Sequence, residues 1–450
     1  MKRVFLAAIS LLSIFAISCT ESDQVADFVV GEVEALEGKA LEGKEYDITG
    51  CTYTSYKNLV MAGYQGWFNC EGDGAGRGWN HYLINGKFEP GSCSIDFWPD
   101  VSEYEVTYET AFPTADGSSY AHVYSPYDAS SVDLHFKWMQ EHGIDGVFMQ
   151  RFVSTISSTL GKAHSQVVLD NAFAAAKKYN RAISIMYDLS GQSYGVIEDI
   201  VSADWAELVE RYGIDDNEQC PTYLRENTKP LVAIWGVGFT DREYTTAEAI
   251  SLIDNIKGDD NLYSILLGVP YNWRTLTSDA ESNPELHDAI KKCEIIMPWA
   301  VGRYNSSTYY TTASSMQEYD ISWCRDNDIL YVPCAFPGFS WRNLQLGSDS
   351  ATTAAYDATP REKGAFLWKQ IYGAKISGAS ALYVAMFDEV DEGTAIFKCL
   401  SESDVPQNGD NSFVGYEDGL ESDHYLWLVG KGADWFHGDA TYTNVMPTRE

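Results

Sequence analysis

Val132–Phe152 reads VDLHFKWMQEHGIDGVFMQRF. Its first half is amphipathic, with Leu134, Trp138 and Met139 sharing one face at helical spacing. Its second half, Gly146–Phe152, is a largely apolar run without strict alternation, and Asp145 introduces it. A strand buried on both faces has that pattern, and such strands belong to parallel sheets.

The same unit recurs outward in both directions. Apolar runs lie at Leu59–Phe68, Gly146–Phe152, Ala182–Leu189, Leu231–Val237, Ile265–Val269, Ile295–Val301, Leu330–Phe336 and Ala381–Phe387. Amphipathic stretches separate them, among them Gln166–Tyr179, Ala247–Lys257, Met316–Asp326 and Glu362–Ser377. Eight strand-then-helix units predict a single (β/α)₈ barrel over residues 51–450. A doubly wound sheet usually stops near six strands and carries a phosphate loop after its first. The EGDGAGRG stretch at Glu71–Gly78 leads into Trp-Asn-His-Tyr and not into a helix, so it reads as part of a long insertion over residues 69–130. Loops that follow barrel strands build the functional face, so this insertion should wall one side of a cleft.

Composition narrows the partners. The chain has 450 residues, with 13 Trp, 29 Tyr and 19 Phe, which excludes a disordered polymer. A formal charge of −34 repels phosphate backbones and excludes nucleic acid. No apolar run of about 20 residues lies beyond the N-terminus, so a membrane bundle is excluded.

The N-terminus carries its own signals. Lys2-Arg3, then an apolar stretch from Val4 to Ile17, then Ser18-Cys19, read as a secretory signal over residues 1–18. The ending resembles a bacterial lipobox, which makes Cys19 the lipid anchor and residues 19–50 an acidic tether. The expected location is the bacterial cell envelope, lipid-anchored at the outer membrane, with the face of that membrane left open. Eight further cysteines allow disulfides in such a compartment. Cys70 and Cys93 flank the Gly-rich stretch and are the expected pair, while Cys324, Cys334 and Cys399 sit in apolar runs and read as buried thiols. No Cys-x-x-Cys and no His pair at metal spacing occurs, so neither metal nor cofactor is expected. None of the eight His is assigned a role.

The predicted strand ends are rich in aromatics, arginines and carboxylates. They supply Tyr64 and Trp67, Arg151, Asp188, Trp235, Trp273, Arg303 and Trp341 as candidate substrate contacts. Aromatic faces beside planar polar groups suit a neutral sugar, whose C–H patches stack and whose hydroxyls pair. The last strand runs into Asp388-Glu389-Val390-Asp391-Glu392-Gly393-Thr394. On a strand Glu389 and Glu392 would face opposite ways, but in a turn positions i and i+3 share a face. Two carboxylates aimed into one cleft can cleave a glycosidic bond, since crowding keeps one of them protonated. Asp388 and Asp391 join the candidate contacts.

FDEVDEGTAI resembles the FNEWHEGTQI-type motif of glycoside hydrolase family 99, the endo-α-mannosidases and endo-α-mannanases, and of the related family 71. GYQGWF at the first strand is similar to the aromatic segment that opens that barrel, and Val132–Phe152 resembles its second helix and strand. The chain departs from the motif at Asp388, Val390 and Asp391, where the family has Asn, Trp and His. The resemblance implies a retaining glycosidase acting on α-glycosidic bonds of a mannan-type polysaccharide or glycan, without a metal. It maps the catalytic pair onto Glu389 and Glu392. It also implies that the first glutamate deprotonates the 2-hydroxyl to give a 1,2-anhydro sugar, while the second serves as acid and then base. Two other readings use the same residues: a glycan-binding lipoprotein without chemistry, and a calcium-dependent adhesion protein. The closely spaced glutamates favour the enzyme, because binding alone needs one such carboxylate.

Cys19→Ala should release the protein from the membrane fraction into the soluble one. Unchanged partition on fractionation would remove the anchor.

Overall fold

The computed structural model describes residues 48–309, 315–347 and 354–449. The signal segment, Cys19 and the tether up to residue 47 lie outside the described residues.

Eight parallel strands form the barrel: β1 (Val60–Tyr64), β2 (Gly146–Phe152), β3 (Ala182–Asp188), β4 (Lys229–Trp235), β5 (Ser264–Val269), β6 (Ile295–Pro298), β7 in two pieces (Leu330–Tyr331 and Cys334–Ala335) and β8 (Leu382–Val384). Each strand pairs with the next, and β8 returns onto β1 with Val60 opposite Leu382. The first piece of β7 pairs with β6 and the second with β8. The break falls at Val332-Pro333, where proline has no N–H to give the ladder. Val332 N still donates to Ile296 O at 2.9 Å, and Pro333 O accepts from Tyr383 N at 3.0 Å, so the circuit closes.

A main helix follows each strand: α1 (Ala129–His142), α2 (Thr159–Tyr179), α3 (Ile197–Tyr212), α4 (Thr246–Lys257), α5 (Glu285–Lys291), α6 (Ser315–Asp326), α7 (Ala365–Ile376) and α8 (His424–His437), with a further single turn of helix at Val153–Ile156 before α2. Local chemistry fixes their ends. Thr245 and Glu248 form a reciprocal capping box before α4. Ser158 caps α2 by accepting from Gly161 N, and α2 stops at Asn180 in the left-handed conformation.

The absence of alternation in the strands has a direct cause. Met61, Phe148, Met186, Ala233, Leu266 and Met297 fill the barrel interior. Their neighbours Val60, Ala62, Val147, Ile185, Val232, Ile265 and Ile296 pack outward against the helices. Both faces are dry, so both are apolar.

Two long connections cover one rim. The insertion after β1 contains a hairpin, Tyr108–Pro113 against Tyr120–Val123. It docks on the segment between β8 and α8, where Asp96 N and Phe97 N both donate to Val390 O and Val414 N donates to Asp96 O. Sequence reading found the first connection and not the second. The expected Cys70–Cys93 bridge is not formed, because Cys70 Sγ points to Tyr124 O and Cys93 Sγ to Ile95 O. Cys324, Cys334 and Cys399 are buried free thiols, as their apolar runs implied.

Gly146 opens β2 so close to β3 that a Cβ there would lie 1.9 Å from Ala182 O. Backbone cannot swing aside, so Gly146→Ala should cost about 3 kcal/mol or more. Chemical denaturation would register this, and a loss below about 1 kcal/mol would contradict the close approach.

Candidate functional site

The cleft opens at the C-terminal mouth of the barrel and holds about 1030 Å³ of empty space, its open mouth included. Its floor is the turn that follows β8. Asp388 does not face the cleft. Its carboxylate accepts two backbone N–H groups from the loop after β1, Gln65 N at 2.7 Å and Gly66 N at 2.9 Å. Glu389 comes next, and its two oxygens accept from Gln65 Nε2 and from Thr394 Oγ1, both at 2.5 Å. Its carbonyl accepts from Thr394 N and Ala395 N, which closes the turn. Gly393 turns the chain with φ 64°, and Arg361 Nη2 holds its carbonyl at 2.8 Å. Glu392 gives its carbonyl to Ser340 N, while its carboxyl receives no hydrogen bond from the described residues. Glu389, Asp391 and Glu392 all line the same cleft.

Aromatic walls flank this floor. Trp67 and Phe152 lie on one side with ring centroids 5.0 Å apart, and the imidazole of His81 stacks on Trp67. Trp235 and Trp299 face them from the other side, edge to face at 5.2 Å. Trp235 needs a bare backbone beneath it, because a Cβ on Gly268 would come within 2.3 Å of its ring. Gln65, Gln150, Asp188 and Ser190 add polar groups. Among the described residues no Lys or Arg lines the cleft.

Side-chain parity decides which expected contacts arrive. Along β1, Val60, Ala62 and Tyr64 face the helices, so Tyr64 is buried outside the barrel and shares a 2.8 Å hydrogen bond with His135 Nδ1. Along β2, Arg151 follows Val147 and Met149 outward and grips Asp204 through Nε at 2.5 Å and Nη2 at 2.6 Å. Gln150 and Phe152, on the alternate face, reach the cleft instead. Trp273 is wholly buried against Trp323 in the outer layer. Arg303 is held by Asp279 at 2.7 Å, and Trp341 packs on Phe339 while Leu344 from the same loop reaches the cleft. Trp67, Asp188, Trp235, Glu389, Asp391 and Glu392 are therefore brought together. Tyr64, Arg151, Trp273, Arg303, Trp341 and Asp388 are not. Sequence reading missed Gln65, His81, Gln150 and Trp299. Parity would have found the two glutamines, whereas nothing in the sequence marks His81.

The carboxylates share one electrostatic fate. Burial pushes Asp388 up to about 7, against the two backbone N–H groups that favour its anion. Burial raises Glu389 as well, with repulsion from Glu392 and Asp391 next, and the Thr394 and Gln65 hydrogen bonds oppose it. Glu392 is pushed up to about 8 by burial and then by Asp391 and Asp188. Asp391 and Asp188 are raised by burial too. Within the glutamate pair only Glu389 has hydrogen-bond donors among the described residues, Gln65 Nε2 and Thr394 Oγ1, that stabilise an anion.

The fold is similar to that of a GH99 endo-alpha-mannosidase from Bacteroides thetaiotaomicron in two solved structures, one of them in complex with bis-tris-propane. Each gives a TM-score of 0.60 at 16% identity, over 86% of this chain and 99% and 100% of those chains. A glycoside hydrolase-like protein gives 0.47 at 11% identity, over 78% of this chain and 98% of that one. No family model and no curated protein matches the sequence. At such identities the likeness establishes the (β/α)₈ barrel.

The raised carboxyls set the sign of the pH dependence of stability. An unfolded Glu titrates near 4.3, so between about pH 5 and 8 the folded protein holds protons that the unfolded chain has lost. Stability should therefore fall as pH rises through that window, by up to about 1.4 kcal/mol per pH unit for each fully shifted group. Glu392→Gln should flatten the slope and raise the thermal midpoint at pH 8. Midpoints that climb from pH 5 to 8, or an unchanged slope in the variant, would count against the buried cluster.

Proposed function

We propose that the protein is a glycoside hydrolase that cleaves α-glycosidic bonds of a neutral polysaccharide or glycan, of mannan type, with retention of configuration. The observation that carries this reading is the pair Glu389 and Glu392, three residues apart in one turn, on the floor of an aromatic-walled cleft that no Lys or Arg lines among the described residues. The barrel it shares with the endo-alpha-mannosidase structures and the sequence resemblance at the same turn support it.

The environments support a division of roles. Glu389, hydrogen bonded as an anion, is the base that takes the proton of the sugar 2-hydroxyl. Its O2 then attacks C1 from the opposite face while Glu392 protonates the departing oxygen. A 1,2-anhydro sugar results. Water next attacks C1, Glu392 takes the water's proton, and Glu389 returns its own to O2. Each carboxyl ends as it began, and two displacements retain the configuration. Trp67 and Trp235 would stack on ring C–H faces, and Asp188 and the glutamines would order hydroxyls. The lipid anchor at Cys19 would hold this cleft at the bacterial outer membrane, toward external polymer.

Glu389→Gln and Glu392→Gln should each keep the fold and slow release of sugar from α-mannan by about 10²–10⁴-fold, the usual contribution of a general acid or base. Reducing-end assays on α-mannan, α-glucan and arabinoxylan, beside thermal midpoints, give both quantities. Wild-type turnover in Glu392→Gln would sink the mechanism.

A further inference from the structure

His81 enters the cleft from the insertion after β1. Its backbone is left-handed, at φ 61°, a conformation uncommon for a residue with a side chain. Ser94 Oγ fixes its carbonyl at 2.6 Å. The imidazole lies flat on the Trp67 indole, with centroids 3.9 Å apart and planes at 4°. Its Nδ1 stands 3.4 Å from Asp391 Oδ2. One planar ring thus joins three segments: the insertion, the loop after β1 and the turn after β8.

Asp391 is 2% exposed and lines the cleft, yet its second oxygen, Oδ1, has no hydrogen-bond partner among the described residues. A buried carboxylate oxygen left unpaired is costly, and folded proteins seldom keep one without a use. A sugar hydroxyl carries the donor that this oxygen lacks. The two halves of the His81 contact can be separated: a phenyl ring could stack on Trp67 but not hold Asp391, and an amide could hold Asp391 without stacking.

We propose that His81 is a positioning residue that seats Asp391 through Oδ2, so that Oδ1 is turned to accept a hydroxyl of the sugar ring resting against Trp67. The pair then selects for the hydroxyl pattern of that ring. This rests on the glycosidase reading, and no proton needs to change hands between the two residues.

The test compares His81→Phe, His81→Gln, Asp391→Asn and the double variant His81→Phe/Asp391→Asn, with an α-linked mannotetraose as the probe. KM should rise about ten- to a hundred-fold in His81→Phe and in Asp391→Asn, the range for one hydrogen bond to a charged group. The double variant should be no worse than the more damaged single one, and His81→Gln should recover most of the loss. Losses that add in the double variant, equal losses in His81→Gln and His81→Phe, or wild-type KM in Asp391→Asn would overturn the proposal. If His81→Phe does not fold, a near-wild-type KM in His81→Gln beside a raised one in Asp391→Asn carries the test, and a raised KM in both overturns it. If the wild type releases no sugar, the glycosidase reading fails by itself. The same variants are then read by calorimetric Kd for the tetraose, where the coupled pattern upholds the pair and absence of binding to the wild type removes both.

Discussion

Two hydrogen bonds from the backbone of Gln65 and Gly66 to the buried carboxylate of Asp388 carry the arrangement of the cleft. They fasten the loop after β1 to the turn after β8, where the barrel closes. Everything nearer the cleft is placed relative to that joint. Gln65 is aimed at Glu389, Trp67 follows two residues later as a wall, and the insertion beyond it delivers His81. Asp388 spends its polar capacity on backbone, while Glu389, Asp391 and Glu392 line the cleft.

Crowding several carboxyls into a dry site has a cost and a use. Each would be ionised in water, and burial together with mutual repulsion prevents that from happening to all of them. A protonated carboxyl near neutral pH is what departure of a sugar oxygen requires. On the proposed glycosidase reading, the same field would disfavour uronic, sulfated or phosphorylated residues. The walls add to that choice, because indole faces reward the C–H side of a neutral ring and ask nothing of its charge.

Much of this was legible in the sequence. The apolar runs and their intervening helices gave the barrel and its count of units, because parallel strands buried on both faces leave a pattern that loops do not imitate. The spacing of Glu389 and Glu392 gave their common direction as soon as the segment was read as a turn. What failed was the assignment of side chains at strand ends. Tyr64 and Arg151 stand at the ends of β1 and β2, but their parity turns them to the helix layer, and Gln65, Gln150 and Phe152 take the inner positions. Chain distance hid the rest. His81 lies in an irregular insertion whose course depends on contacts with the segment after β8, and no local periodicity encodes it. The cysteine pair failed for a related reason, since closeness along the chain does not set the direction of two thiols.

In the proposed mechanism Glu389 and Glu392 hydrolyse an α-glycosidic bond by two successive displacements at C1. Proton NMR of the anomeric region during early hydrolysis of α-mannan tests it most directly, because mutarotation is slow enough for the first product to be seen. With two displacements the α-anomer of the new reducing end appears first and the β-anomer grows in later. A β-anomer appearing first would mean a single displacement by water and would contradict the roles given to both glutamates.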